Sequence, residues 1–213
     1  LIFSLDKDAE LHPLVLYCSH VVKDWKLKRV FGQIAYAEAQ LGGRYTDDAF
    51  LHLALVFALQ TDRISKGHHL VVPDEQVSYL KQFPVWNIAK MLTMRLGWSL
   101  RPQWRDIDIA GIAMWLISAP RNENLPGDLD LGENFTNLID DIMIRIANFY
   151  RSPEMGKDQV LREGLQNHVI SACLRQKFNI WHPFPYPNYT LSDKYADEIE
   201  VANYLSQLIK ERT

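Results

Sequence analysis

Imidazole is nucleophilic at neutral pH, so the histidines are the first side chains to weigh for chemistry. The stretch REGLQNHVISACLRQKFNIWHPF, Arg162–Phe184, carries His168 inside an apolar run with helical spacing. Leu161, Leu165, His168, Ala172 and Cys173 are expected to share one stripe, and Arg175 follows seven positions (two turns) after the histidine. A histidine there is either a packed, hydrogen-bonded core residue or, at the helix edge, an accessible nucleophile. A phosphoryl group added to it would bring about two negative charges, which an arginine on the same side can pair.

The other candidate chemistries have less behind them. His68 and His69 are adjacent, and neighbours on a helix point about 100° apart, so the pair does not converge on one ion. They read as loop or surface histidines. The chain has no HExxH and no Cys/His cluster at ligand spacing, so no metal and no cofactor are expected. It has no GxSxG elbow and no glycine-rich phosphate loop. Asp140 and Asp141 do not converge from adjacent helical positions. GDLDLGEN would repel a phosphate and does not fit the calcium-loop pattern. KDWKLKR (Lys23–Arg29) is the only basic run with an aromatic in it; with a net charge of −3 it reads as a solvated helix start and not as a nucleic-acid face. Cys18 and Cys173 lie far apart and outside any CxxC pair, as expected of buried free thiols in a reducing cytoplasm. No enzyme is expected.

The elements that position His168 read as helices throughout. Residues recur three and four apart in sets that are apolar except for Glu38: Phe31, Ile34, Ala35 and Glu38; Phe50, Leu53, Ala54, Phe57 and Ala58; Val85, Ile88, Ala89, Leu92 and Leu96. Thr46 or Asp47 can cap the second set, Gly67 breaks the chain after it, and Gly97 stops the third. A fourth helix runs from Asp106 to a stop at Pro120. The polar stretch around Pro126, Gly127 and Gly132 is a linker. Beyond it come a helix through Phe135, Leu138, Ile139, Ile142, Ile146 and Phe149, a helix over 159–175, a proline-rich break at Trp181–Tyr189, and a last helix with Ile199, Ala202, Leu205, Leu208 and Ile209.

The two halves repeat. With Arg63 placed over Arg175, VFALQTDR (Val56–Arg63) lies over HVISACLR (His168–Arg175). With a shift one residue different, Ala89 meets Ala202 and Leu92 meets Leu205, and Val30–Gly42 matches Phe135–Tyr150 in pattern. The counterpart of the helix over 106–119 would begin beyond Thr213. The expected architecture is therefore all-α, two consecutive helical-bundle domains, the second lacking its last helix. Residues 1–22 would join a missing N-terminal output domain, 23–121 form the first domain, 122–134 the linker and 135–213 the second.

LREGLQNHVISACLRQKFNIWHPF and the later KYADEIEVANYLSQLIKE resemble the PTS regulation domain, which occurs in tandem in bacterial antiterminators and transcriptional activators controlling sugar uptake. Leu165, His168, Arg175, Pro183 and Tyr195 fit its pattern, while His182 stands where asparagine is usual. LHLALVFALQTDRISKG and DIAGIAMWLISA resemble the two histidine helices of a first such domain. Val56 and Trp115 occupy its phosphoacceptor positions and cannot take a phosphoryl group; His52 lies one turn before Val56, but the register of Arg63 argues against that slip. The resemblance implies a cytoplasmic homodimer controlled by phosphorylation of His168 by HPr or a sugar-permease IIB component. Arg175 would pair the phosphate, or acids such as Glu163 would be repelled. Nucleic acid would be bound only through the missing N-terminal domain, and no membrane contact is implied. The alternative is a helical dimerisation or scaffold unit of a virulence-type regulator without phosphorylation, which expects a buried His168.

Overall fold

The computed structural model describes residues 24–97, 104–122, 133–180 and 195–212. Among them the chain is all-α, with eight α-helices and no β-strand. It divides into two compact units, one running to Leu116 and one from Ile117. Residues 1–23, most of the expected linker, Pro183 and His182 lie outside the described residues, as does Cys18.

The first unit holds α1 (Asp24–Leu41), α2 (Asp47–Ser65), α3 (Asp74–Leu80), α4 (Pro84–Leu96) and α5 (Asp106–Ser118), whose last turn crosses the division. Helix α1 packs on both α2 and α4. Its buried face is Val30, Ile34, Ala37 and Leu41, not the expected set: Ala35 is exposed and Glu38 half-buried. Phe31 sits at the margin, where its ring stacks on Phe50 of α2 at 5.8 Å. Arg29 on α1 donates to the Arg95 carbonyl on α4 at 2.8 Å, and the Arg95 guanidinium lies 3.9 Å from the Tyr36 ring centre. Helix α5 is buried on nearly every side, through Ile109, Ala110, Ile112, Ala113 and Leu116, as a helix apolar all round must be. The seven-residue α3 was not expected; its two turns bury only Val77 and Leu80, too little to establish a period.

The second unit holds α6 (Glu133–Phe149), a 3₁₀ turn at Met155–Lys157, α7 (Gln159–Lys177) and α8 (Ala196–Arg212). Helix α6 packs on α7 and α8, which is the arrangement of α1 with α2 and α4. Leu138, Ile139, Ile142, Met143 and Ile146 of α6 form the core with Val169, Val201 and Leu205. Burying each such side chain contributes about 1.5–3 kcal/mol. Arg145 clasps Tyr204 of α8 through a 2.7 Å hydrogen bond to its hydroxyl, and Arg162 of α7 pairs with Asp140 of α6.

Helices α2 and α7 correspond along their full length. Both have 19 residues. Thr46 caps α2 by accepting from the Ala49 amide at 3.2 Å, and Asp158 caps α7 by accepting from Val160 and Leu161 at 2.9 and 3.1 Å. At the other ends, Gly67 (φ +83°) and Asn179 (φ +52°) adopt the left-handed conformation. The amide of His68 then returns to the Arg63 carbonyl at 3.0 Å, and that of Ile180 to the Arg175 carbonyl at 2.8 Å. Glycine pays no steric cost in that conformation and asparagine tolerates it. Every one of these pairs is separated by the same 112 residues, as are the first residues of α4 and α8, Pro84 and Ala196. Leu92 and Leu205 are both buried, as their pairing requires, but the Ala89–Ala202 pairing fails: Ala202 is exposed, and Val201 takes the buried place.

Candidate functional site

Helix α7 buries Val169, Ile170, Ser171 and Leu174. Leu161, Leu165 and Cys173 pack at the edge of the core. The expected stripe is therefore split, because His168 and Ala172 are exposed. They lie on an outward line of i, i+4 neighbours running Val160, Gly164, His168, Ala172 and Gln176, all exposed and none charged. A methyl group built on Gly164 would meet nothing within 4 Å. The imidazole of His168 thus has a hydrogen four residues before it and a methyl four residues after it, while Leu165 and Ser171, three residues away on either side, turn toward the core.

Arg175 points its guanidinium elsewhere: Nη1 donates to the Ser118 carbonyl at 3.1 Å. Its α-carbon lies about 10.5 Å further along the helix axis than that of His168. Burial pulls the Arg175 guanidinium down from its ordinary value, with Cys173 acting weakly in the other direction. Burial pushes the Cys173 thiol up, against the opposing effects of Arg175 and its own backbone. Cys173 is a free thiol, half-buried. Glu163 is hydrogen-bonded to Gln159 at 2.9 Å and sits about 140° around the helix from His168, so it is not the neighbouring acid it was expected to be.

In the first unit, Val56 and Trp115 are both half-buried. The ring of His52 packs on that of Trp115 with centroids 5.1 Å apart, so α2 and α5 meet through an imidazole–indole contact at the expected phosphoacceptor region.

A second histidine site was not foreseen. Asp108, in the first turn of α5, is fully buried. Its Oδ2 accepts from the His69 ring nitrogen Nδ1 at 2.7 Å and from the Arg105 amide at 3.0 Å. Its Oδ1 accepts from the Leu70 amide at 3.1 Å, and its carbonyl accepts from Gln60 at 2.9 Å. Gly111, one turn on, leaves the space that Leu70 and Gln60 fill: a methyl group there would fall 2.2 Å from Leu70 Cδ1 and 2.9 Å from Gln60 Nε2. His69 is therefore a fixed imidazole and not a loose loop residue. Its partner is 39 positions away, and an aspartate in a first helical turn already has a local use against the helix dipole, so the sequence gives no sign of the pair.

No protein-family model, no characterised protein and no solved structure matches this chain.

Proposed function

We propose that this chain is the regulatory module of a bacterial transcriptional regulator of carbohydrate uptake, switched by phosphorylation of His168. The observation that carries the reading is the exposed His168 on the uncharged outward line of α7, with Gly164 and Ala172 one turn away on either side. A phosphocarrier must bring its own phosphohistidine to within bonding distance of the acceptor nitrogen, and small flanking residues leave room for that approach. The donor is HPr or a sugar-permease IIB component, and the module acts as a cytoplasmic homodimer. The constant shift of 112 residues from the caps of α2 to those of α7 supports a tandem pair of related units, of which the second carries His168. In the first, Val56 and Trp115 hold structure without accepting phosphate.

The charge added at His168 acts on Arg175. In the described state that guanidinium is held by the Ser118 carbonyl, so pairing with a phosphate requires an exchange of partners, and the exchange is the switching element. The scaffold alternative calls for a shielded His168, and the exposed position of this residue weighs against it.

The test is incubation with enzyme I, HPr or IIB proteins and phosphoenolpyruvate, followed by mass-spectrometric mapping. The wild type gains one phosphoryl group on the α7 peptide and His168→Ala gains none there. A wild type unmodified by every donor overturns the reading.

A further inference from the structure

The first unit lacks a histidine at either expected acceptor position, yet it holds an imidazole hydrogen-bonded to a fully buried carboxylate. We infer that His69, positioned by Asp108, is a nucleophilic phosphoryl acceptor of the first unit, distinct from His168. The choice of a phosphohistidine as donor rests on the proposed function; the reactivity of His69 does not.

The geometry fixes which nitrogen reacts. An ionised carboxylate only accepts hydrogen bonds, so Asp108 places the proton of neutral His69 on Nδ1 and leaves the lone pair on Nε2. Three donors from separate residues (His69, Leu70 and Arg105) hold the carboxylate, and Gly111 lets the 68–73 segment close against α5, so the ring cannot turn without breaking this set. The His69 side chain is 14% exposed, whereas the Asp108 carboxylate is wholly shielded. In this inference the nucleophile is the ring itself, and not a hydroxyl or thiol that the imidazole would activate as a base.

In the step, the Nε2 lone pair attacks the phosphorus of an N-phosphoryl donor. The Nε2–P bond forms as the donor's N–P bond breaks, and the donor nitrogen leaves with a proton from solvent. The positive charge that develops on the His69 ring lies against the Asp108 carboxylate, which stabilises it in the transition state.

The neighbouring His68 supplies an internal control, since it is exposed and adjacent in the chain. The folded protein is treated with phosphoramidate, a small N-phosphoryl donor that needs no carrier protein, and each histidine is followed by mass spectrometry under non-acidic conditions. His69 is expected to react about tenfold or more faster than His68 despite its lower exposure. Asp108→Asn is expected to slow His69 to the rate of His68 while the rate at His168 stays the same; the within-molecule ratio of His69 to His168 separates positioning from general loosening. If Asp108→Asn does not fold, the rate order in the wild type decides alone. A His69 that is unmodified, or no faster than His68, overturns the inference. Failure of HPr and IIB to modify His168 would sink the proposed function and leave this result standing.

Discussion

Helices α2 and α7 have equal length, capped starts and the same left-handed exit, but they are used differently. Helix α2 buries nine of its residues, including Leu53, Phe57, Ala58 and Ile64, and α7 buries four. At the corresponding position α2 has Val56, half-buried, and α7 has His168, exposed. The repeat therefore preserves how a helix begins and ends while leaving its lateral faces free to diverge. One copy is the more deeply buried element, and the other leaves a face exposed.

That contrast is open to direct attack. The largest effect is expected at the buried pair Phe57 and Val169, which correspond under the repeat. Phe57→Ala should cost about 3–5 kcal/mol in urea unfolding, because it empties a fully buried ring site. Val169→Ala should cost about 2 kcal/mol, since fewer carbons leave. Equal costs would mean that α7 is as deeply committed to packing as α2.

Exchanging the two characters comes next. Val56→His puts a polar ring into a half-buried apolar place and should cost about 1–2 kcal/mol. His168→Val should change stability by less than about 0.5 kcal/mol, as exposed substitutions do. A large loss from His168→Val in thermal or urea melts would mean that the histidine serves the fold.

The caps should behave alike. Thr46→Ala and Asp158→Ala are each expected to cost about 1 kcal/mol. A much smaller loss at Asp158, read from amide exchange in the first turn of α7, would break the symmetry of the helix starts.

The smallest effect belongs to Cys173. Its thiol is pushed up by burial in the folded chain, so the folded state keeps the proton to higher pH than the unfolded state does. The resulting stabilisation is present below the ordinary thiol value and is lost as pH rises through and above it. Urea unfolding at pH 8 and pH 10 should therefore show a steeper alkaline loss for wild type than for Cys173→Ser. Identical slopes would mean that the half-buried thiol is not held protonated.

Much of this architecture was legible because helices announce themselves by period. The starts near Thr46 and Asp106, the break at Gly67 and the core positions Leu138, Ile139, Ile142 and Ile146 of α6 follow from spacing and end residues alone, although Phe149 of the same expected set is exposed. Two things did not. The outward side of α7 was misassigned because apolar residues lie all around it: Val160 and Ala172 face outward while Ser171 is buried, so no arc of the sequence pattern marks the core. The His69–Asp108 pair was invisible because it joins a segment after α2 to the start of α5, and nothing local requires either residue to find the other. Composition could identify a nucleophile by its type, but not by what holds it.

Gly164 has one more meaning. A glycine in the middle of an exposed helix gives up about 0.5–1 kcal/mol relative to alanine, and at this position the space for a methyl group is open. Helix α7 is thus built weaker than it needs to be, one turn from His168. The deficit is local and reversible by a single carbon atom. A sequence selected only for helix strength would have filled that position, and filling it would narrow the open ground beside His168.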